Sequence, residues 1–255
     1  MNLESRLKFE IVICRHGENL AWLGNLPKSL KIVVYDKTCG PGPRWPGAVP
    51  LPNVGREAHT WLYHLAKNYD RLADWTLFSQ GHPFDHAPDM HATIRSLCSE
   101  NVPESGFQWL GFLWETDNPK GYPTFVNWSK NPGRRELDLD GFFQNLWGTS
   151  APEKIRYVGG GQFILSREVA HRQSRAFYQK ALGLASDFPD AAHAFERTWD
   201  RVFQAPPLDP SLFPPSGMRM WKPIKAKTDF FRTSERPFPP SVGARKDVPL
   251  SETEG

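Results

Sequence analysis

The chain runs to 255 residues, 39% of them hydrophobic and 23% charged, with a formal net charge of +3. That balance supports a sizeable core and excludes global disorder, a collagen repeat and a disulfide scaffold. No apolar stretch approaches the ~20 residues that span a bilayer, and the N-terminal segment lacks the pattern of a secretory signal.

Cys14, Cys39 and Cys98 are widely spaced and form no Cys-x-x-Cys pair. They read as reduced thiols, so a cytoplasmic location is expected. Ten tryptophans offer core area and flat stacking surfaces, and 24 prolines imply many rigid loops. The whole net charge falls in residues 218–255, and the body before them is balanced.

In chain order, Phe9 to Cys14 (FEIVIC) and Lys31 to Tyr35 (KIVVY) are short β-branched runs that predict buried strands. Between them, Leu20 to Leu26 has room only for a short helix. Polar residues follow both strands: Arg15, His16, Gly17 and Glu18 after the first, Asp36 after the second. This predicts an open α/β sheet, in which ligands sit beyond the carboxyl ends of strands. Gly40 to Pro52, with five prolines and three glycines, predicts a loop. Asn53 then stands as an N-cap for a helix from Gly55 to about Leu72. Its core face is Ala58, Leu62, Leu65 and Tyr69, widened by Trp61 and Ala66, and Arg56, His59, Tyr63 and Lys67 share another face. Trp75 to Ser79 predicts a third buried strand. Residues 100–150 predict loops and short helices. Tyr157 to Arg167 predicts one glycine-led strand, with helices over Glu168 to Ala185 and Asp190 to Phe203. From Ala205, 10 prolines in 51 residues mark an arm without its own core. The expected organisation is one α/β domain over 1–204, a central mainly parallel sheet flanked by helices, and a Pro-rich basic arm over 205–255.

Four constellations carry chemistry. His82, Asp85, His86, Asp89 and His91 follow the third strand, and carboxylate and imidazole are ligands for Mn²⁺, Mg²⁺ or Zn²⁺. A polar loop with a helix-capping aspartate accounts for them equally well. Around Gly55, free helix-start amides and Arg56 would attract a phosphate. Gly159, Gly160 and Gly161 permit a tight turn or close approach, and no Lys-Ser/Thr follows as in a phosphate loop. Glu196 and Asp200, four residues apart on one helix, could direct two carboxylates into one cleft.

The run LPNVGREAHTWLYHLAKNYDRLADWTLF over Leu51 to Phe78, with SQGHPFDH behind it, resembles the signature of a family of uncharacterised fungal and bacterial proteins. Glu18 and Trp22, Tyr35-Asp36-Lys37, Gly161 to Arg167 and Glu196 to Trp199 stand at further motif positions of that family. The resemblance covers about residues 9–204. The layout is similar to GT-A (Rossmann-related) glycosyltransferases, with a nucleotide-binding α/β half and an acceptor half.

That similarity implies a nucleotide-sugar donor contacted by Arg15, Glu18, Asp36, Arg56, His59, Gln80, Gly160 and Gly161. It implies a divalent cation (Mn or Mg) on Asp85, His86 and His82, although no Asp-x-Asp is present. It implies Glu196 as the base for an acceptor hydroxyl, with Asp200 in reserve. Two alternatives stand beside it. One is a metal-dependent hydrolase built on His82, Asp85 and His86, with further ligands from His59, His171 or His193. The other is a non-catalytic nucleotide- or sugar-binding module.

The arm from Met218 to Lys246 interleaves eight basic residues with Trp221, Phe230, Phe231 and Phe238. This composition suits a nucleic-acid acceptor. It suits better an arm packed on the body, with Trp221 and at least one of Phe230 and Phe231 buried.

Overall fold

The computed structural model describes residues 7–39, 45–128, 132–213 and 218–220. Trp221, Phe230 and Phe231, expected to pack on the body, lie outside those residues.

Alternation along the first strand sets up two apolar layers. In β1 (Phe9–Arg15), Ile11 and Ile13 face one core cluster, while Val12 and Cys14 face another. A strand covered on both sides reads as a continuous apolar run, which is why it was visible in the sequence. β2 (Lys31–Asp36) and β4 (Trp75–Gln80) flank β1 in parallel. The two-residue β3 (Val49–Pro50) extends the β2 edge. β5 (Phe107–Leu110) and β8 (Gln162–Ser166) complete a six-stranded sheet in the order β3-β2-β1-β4-β8-β5. β8 runs antiparallel to both of its neighbours. The result is a mixed α/β domain with a mostly parallel sheet between helices, a Rossmann-like arrangement.

A second, antiparallel sheet has the order β7-β6-β9, formed by β6 (Leu113–Asp117), β7 (Ile155–Val158) and β9 (Met218–Met220). The 9-residue α2 (Met90–Cys98) buries Met90, Ile94 and Leu97 on one face of the main sheet with Trp22 and Leu23. α1 (Arg56–Asn68) covers the other face through Ala58, Trp61, Leu62 and Leu65. α3 (Thr124–Trp128) and α4 (Leu139–Trp147) follow the second sheet's β6. α5 (Arg167–Ala170) and α6 (Arg175–Asp187) follow β8, and α6 packs along α1. α7 (Ala191–Glu196) and α8 (Trp199–Val202) are held to the sheet by a run of rings. Trp199 lies 5.3 Å from Phe195, 5.6 Å from Phe203 and 5.1 Å from Phe163 of β8. Among the described residues no helix is long and apolar enough to cross a membrane.

Several expected elements differ. Residues 100–150 hold two strands, β5 and β6, besides short helices. Polar Gln108, Glu115 and Asp117 are buried within them and hide the alternation. The single strand expected over Tyr157 to Arg167 is two strands in different sheets, divided by the glycine turn at Gly159–Gly161. The two late helices are each broken, at residues 171–174 and at 197–198. The N-cap of α1 is Gly55, in left-handed conformation (φ 57°), in place of Asn53. A side chain there is doubly barred, because its Cβ would also collide with the Ala185 carbonyl oxygen.

Candidate functional site

The chain starts at β1 in mid-sheet, moves outward to β2, then crosses back through α1 to β4 on the other side of β1. The carboxyl ends of β1 and β4 therefore form a topological switch point, where open α/β sheets bind their ligands. The glycine turn between β7 and β8 lies beside this point, because β8 is antiparallel to β4 and begins where β4 ends.

At the end of β1, Arg15 is buried and donates through Nη1 to Asp36 Oδ2 at 2.6 Å and to Thr38 Oγ1 at 2.9 Å. Its Nε donates to the Glu18 carbonyl. Asp36 also accepts from the amides of Thr38 and Trp45. Against the penalty of burial, these donors hold its carboxyl down at about 2. Arg15 and Asp36 thus form a closed buried pair that braces β1 against β2. Lys37 is equally buried, and its ammonium donates to the carbonyls of Val54 and Arg56 at the start of α1. Burial pushes its pKa down, with Cys14 and Glu57 opposing. His59 is buried nearby with no hydrogen-bond partner at Nδ1, and burial and the charge of Lys37 push it down to about 4.

At the end of β4, Gly81 accepts a hydrogen bond from Trp22 Nε1 at 2.9 Å and lies against Glu18. A Cβ at Gly81 would stand 2.7 Å from Glu18 Oε2. Gln80 Nε2 donates to the Gly160 carbonyl at 3.1 Å, and Gln162 Oε1 accepts from Ser79 and from the Gln80 amide. The glycine turn is closely packed where side chains would otherwise stand. A Cβ at Gly159 would meet Glu115, one at Gly160 would meet His86 at 2.5 Å, and one at Gly161 would touch Glu57. Gly160 and Gly161 also carry φ values of 103° and 60°, which glycine alone adopts without strain.

Glu196 accepts the Gly160 amide at 2.6 Å, with His193 Nδ1 at 3.7 Å and Arg197 Nη1 at 3.6 Å, and its side chain is 19% exposed. Burial raises its pKa, but His193, Arg197 and the Gly160 amide outweigh that and hold it at about 2. Arg56, exposed at the start of α1, reaches His193 Nε2 at 3.5 Å. Arg197 is buried and pairs with Asp117 at 2.7 Å and with Thr124 at 3.1 Å, its guanidinium over the Tyr157 ring. Glu115 makes no such ion pair among the described residues: burial and the Glu196 charge push it up to about 7, against the pull of Arg197. Glu57 is pushed up by the same two causes.

The structure thus brings together Arg15 with Asp36, Glu18 with Gly81, and Arg56, Gln80, Gly160 and Glu196 around one turn. Asp200 stands apart, in a small cavity lined by Lys154, Arg156 and Arg201 but not by Glu196. The helix break after Glu196 turns the two carboxylates away from a common cleft.

The divalent-cation site on Asp85, His86 and His82 is overturned. Among the described residues no group of three or more His, Cys, Asp or Glu could hold a metal ion. The reason is local: Pro83–Asp85 is a short 3-10 turn on which His82 and Asp85 pair only with each other at 3.4 Å, both largely exposed. His86 packs instead on the glycine turn, and His91 is buried against the Trp22 carbonyl. The hydrolase built on this cluster loses its premise with it.

Glu57, Glu115, Asp117 and Arg197 were not anticipated. Arg197 lies inside the Glu196 to Trp199 motif and Glu57 beside Arg56, so proximity was a usable signal. Glu115 and Asp117 gave none, because their strand was not visible.

A family model described as "Protein of unknown function (DUF3431)" matches residues 11–211, and the chain belongs to that family. No curated protein and no solved structure matches it.

Proposed function

We propose that this chain is a GT-A-like glycosyltransferase, moving a sugar from a nucleotide-sugar donor to an acceptor hydroxyl. The observation that carries the proposal is Glu196, a partly exposed carboxylate fixed on the Gly160 amide at 2.6 Å beside the β1–β4 switch point. In this account the β1–β4 half holds the nucleotide and the β5–α8 half presents the acceptor.

With no metal-ligand set among the described residues, the diphosphate charge falls to Arg56 and the uncapped first turn of α1. As the bond from the sugar to the diphosphate breaks, positive charge develops on the sugar, and the Glu196 carboxylate stabilises it. A carboxylate held near 2 is a weak base. It therefore acts first as a fixed negative charge and accepts the acceptor hydroxyl's proton late, as the new bond to the sugar forms and the nucleoside diphosphate departs. Arg15 and Asp36, whose bonds are satisfied within the chain, shape the nucleotide pocket by holding β1 and β2 in register.

The low proton affinity of Glu196 also favours a second account, a module that binds the donor and does not turn it over. Thermal-shift titration with a panel of nucleoside-diphosphate sugars in EDTA tests binding, and donor consumption by the parent and by Glu196→Gln separates the two accounts. Binding without turnover, unchanged in the variant, selects the module, and no response to any donor rejects both.

A further inference from the structure

We propose that the cavity between β7, α8 and the segment at 205–208 is a binding site for a tetrahedral oxyanion, a phosphate group or its like. This site is separate from the glycine turn and Arg56 and does not depend on the transferase proposal. The cavity measures about 90 Å³ and is lined by Lys154, Arg156, Thr198, Asp200, Arg201 and Leu208 among others. A water molecule occupies ~30 Å³ of liquid, so the space suits one small polyatomic anion.

Three observations point to an anion. First, Lys154, Arg156 and Arg201 line one small space, and among the described residues none of the three makes an ion pair. Second, Arg156 Nε is buried and has no acceptor. A desolvated donor left unmade costs ~1–3 kcal/mol, so the guanidinium of Arg156 keeps unspent hydrogen-bonding capacity beside the cavity that the residue lines. Third, both guanidiniums are held by ring faces, Arg156 over Phe213 at 5.6 Å and Arg201 over Phe143 at 5.1 Å. A ring face fixes the plane of a guanidinium and leaves its N–H groups free for bidentate contact with an oxyanion.

The one carboxylate in the lining, Asp200, is partly spent on the Arg201 backbone amide at 2.8 Å. Burial pushes its pKa up to about 6, against the pull of Arg201. As pH falls through that value the cavity gains positive charge, so anion affinity rises.

The experiment is calorimetric titration of the full chain with inorganic phosphate at constant ionic strength, with sodium chloride as the control and a hexose phosphate as a second arm. Saturable 1:1 phosphate binding is expected, weakened at least fivefold in Arg201→Gln and in Arg156→Gln, and sulfate, whose charge is constant over this range, should bind tighter at pH 5.5 than at pH 7.5. Arg201 is exposed on α8, so its variant keeps the fold and remains informative should Arg156→Gln be unstable. Arg56→Ala, which removes the proposed diphosphate contact, leaves this binding unchanged. Equal affinity for both phosphates identifies the phosphate group itself as the ligand, and a much tighter hexose phosphate identifies an ester; both support the site. Chloride giving the same heats, or Arg201→Gln and Arg156→Gln binding phosphate as the parent does, overturns it.

Discussion

Arg197 is the cation on which the buried end of the site depends, and Arg197→Met tests that dependence. The methionine keeps much of the side-chain volume and removes the charge. In the parent, the Arg197 side chain is 2% exposed and that of Asp117 is 0% exposed, with 2.7 Å between them. Arg197 also donates to the His193 carbonyl at 2.8 Å and to Thr124 Oγ1 at 3.1 Å. The variant leaves Asp117 in the core with only Thr124 for donors. Stranding one member of a buried pair costs ~3–5 kcal/mol, and at ~2–4 °C per kcal/mol for a domain of this size the melting temperature falls by roughly 6–20 °C. Calorimetry on the parent, Arg197→Met, Asp117→Asn and the double variant closes a thermodynamic cycle. The double variant should recover ~1–3 kcal/mol of the summed losses, since the stranded charge is gone. A loss below ~1 kcal/mol in Arg197→Met, or strict additivity in the double variant, refutes the reasoning.

Gly160→Ala should cost ~1–3 kcal/mol, because φ is 103° and the new Cβ meets His86 at 2.5 Å. Gly24→Ala, with open space around its Cβ, should cost little; urea unfolding compares the two. Glu10 is buried on His64 and Lys31, which overcome the burial penalty and hold it at about 2. Its stabilisation is complete above the ordinary carboxylate range and is lost as pH falls through about 2. Glu10→Gln should therefore remove ~3 kcal/mol at pH 7 and flatten the acid limb of a stability–pH curve. Glu115 behaves oppositely. Its pKa is raised to about 7, so stability is fully present below the ordinary carboxylate range and is lost as pH rises through 7. Glu115→Gln should melt above the parent at pH 8 and close to it at pH 4.5.

The strands β1, β2 and β4 were legible because both faces are covered, which leaves uninterrupted β-branched runs. Arg15, Asp36 and Gln80 followed directly from those strand ends. The second sheet was not legible. β6 alternates nothing recognisable, since Glu115 and Asp117 are both buried and polar, and Arg197, the partner of Asp117, comes from 80 residues further on. The glycine turn was seen as permissive, but not as a corner between two sheets, because period and composition do not report which sheet a strand joins. The His/Asp cluster misled for a related reason: five ligand-type side chains close in sequence need a backbone that converges them. A 3-10 turn and the start of α2 send them apart.

The most direct test of the central claim is donor turnover by the purified full chain in EDTA, comparing the parent with Glu196→Gln and Arg56→Ala. One nucleoside-diphosphate sugar should bind and be consumed by the parent. Glu196→Gln should keep that binding and lose at least ~10²-fold in turnover, while Arg56→Ala should weaken binding of the donor and of the free diphosphate together. The account is contradicted if no nucleotide sugar binds, or if Glu196→Gln turns the donor over as fast as the parent does.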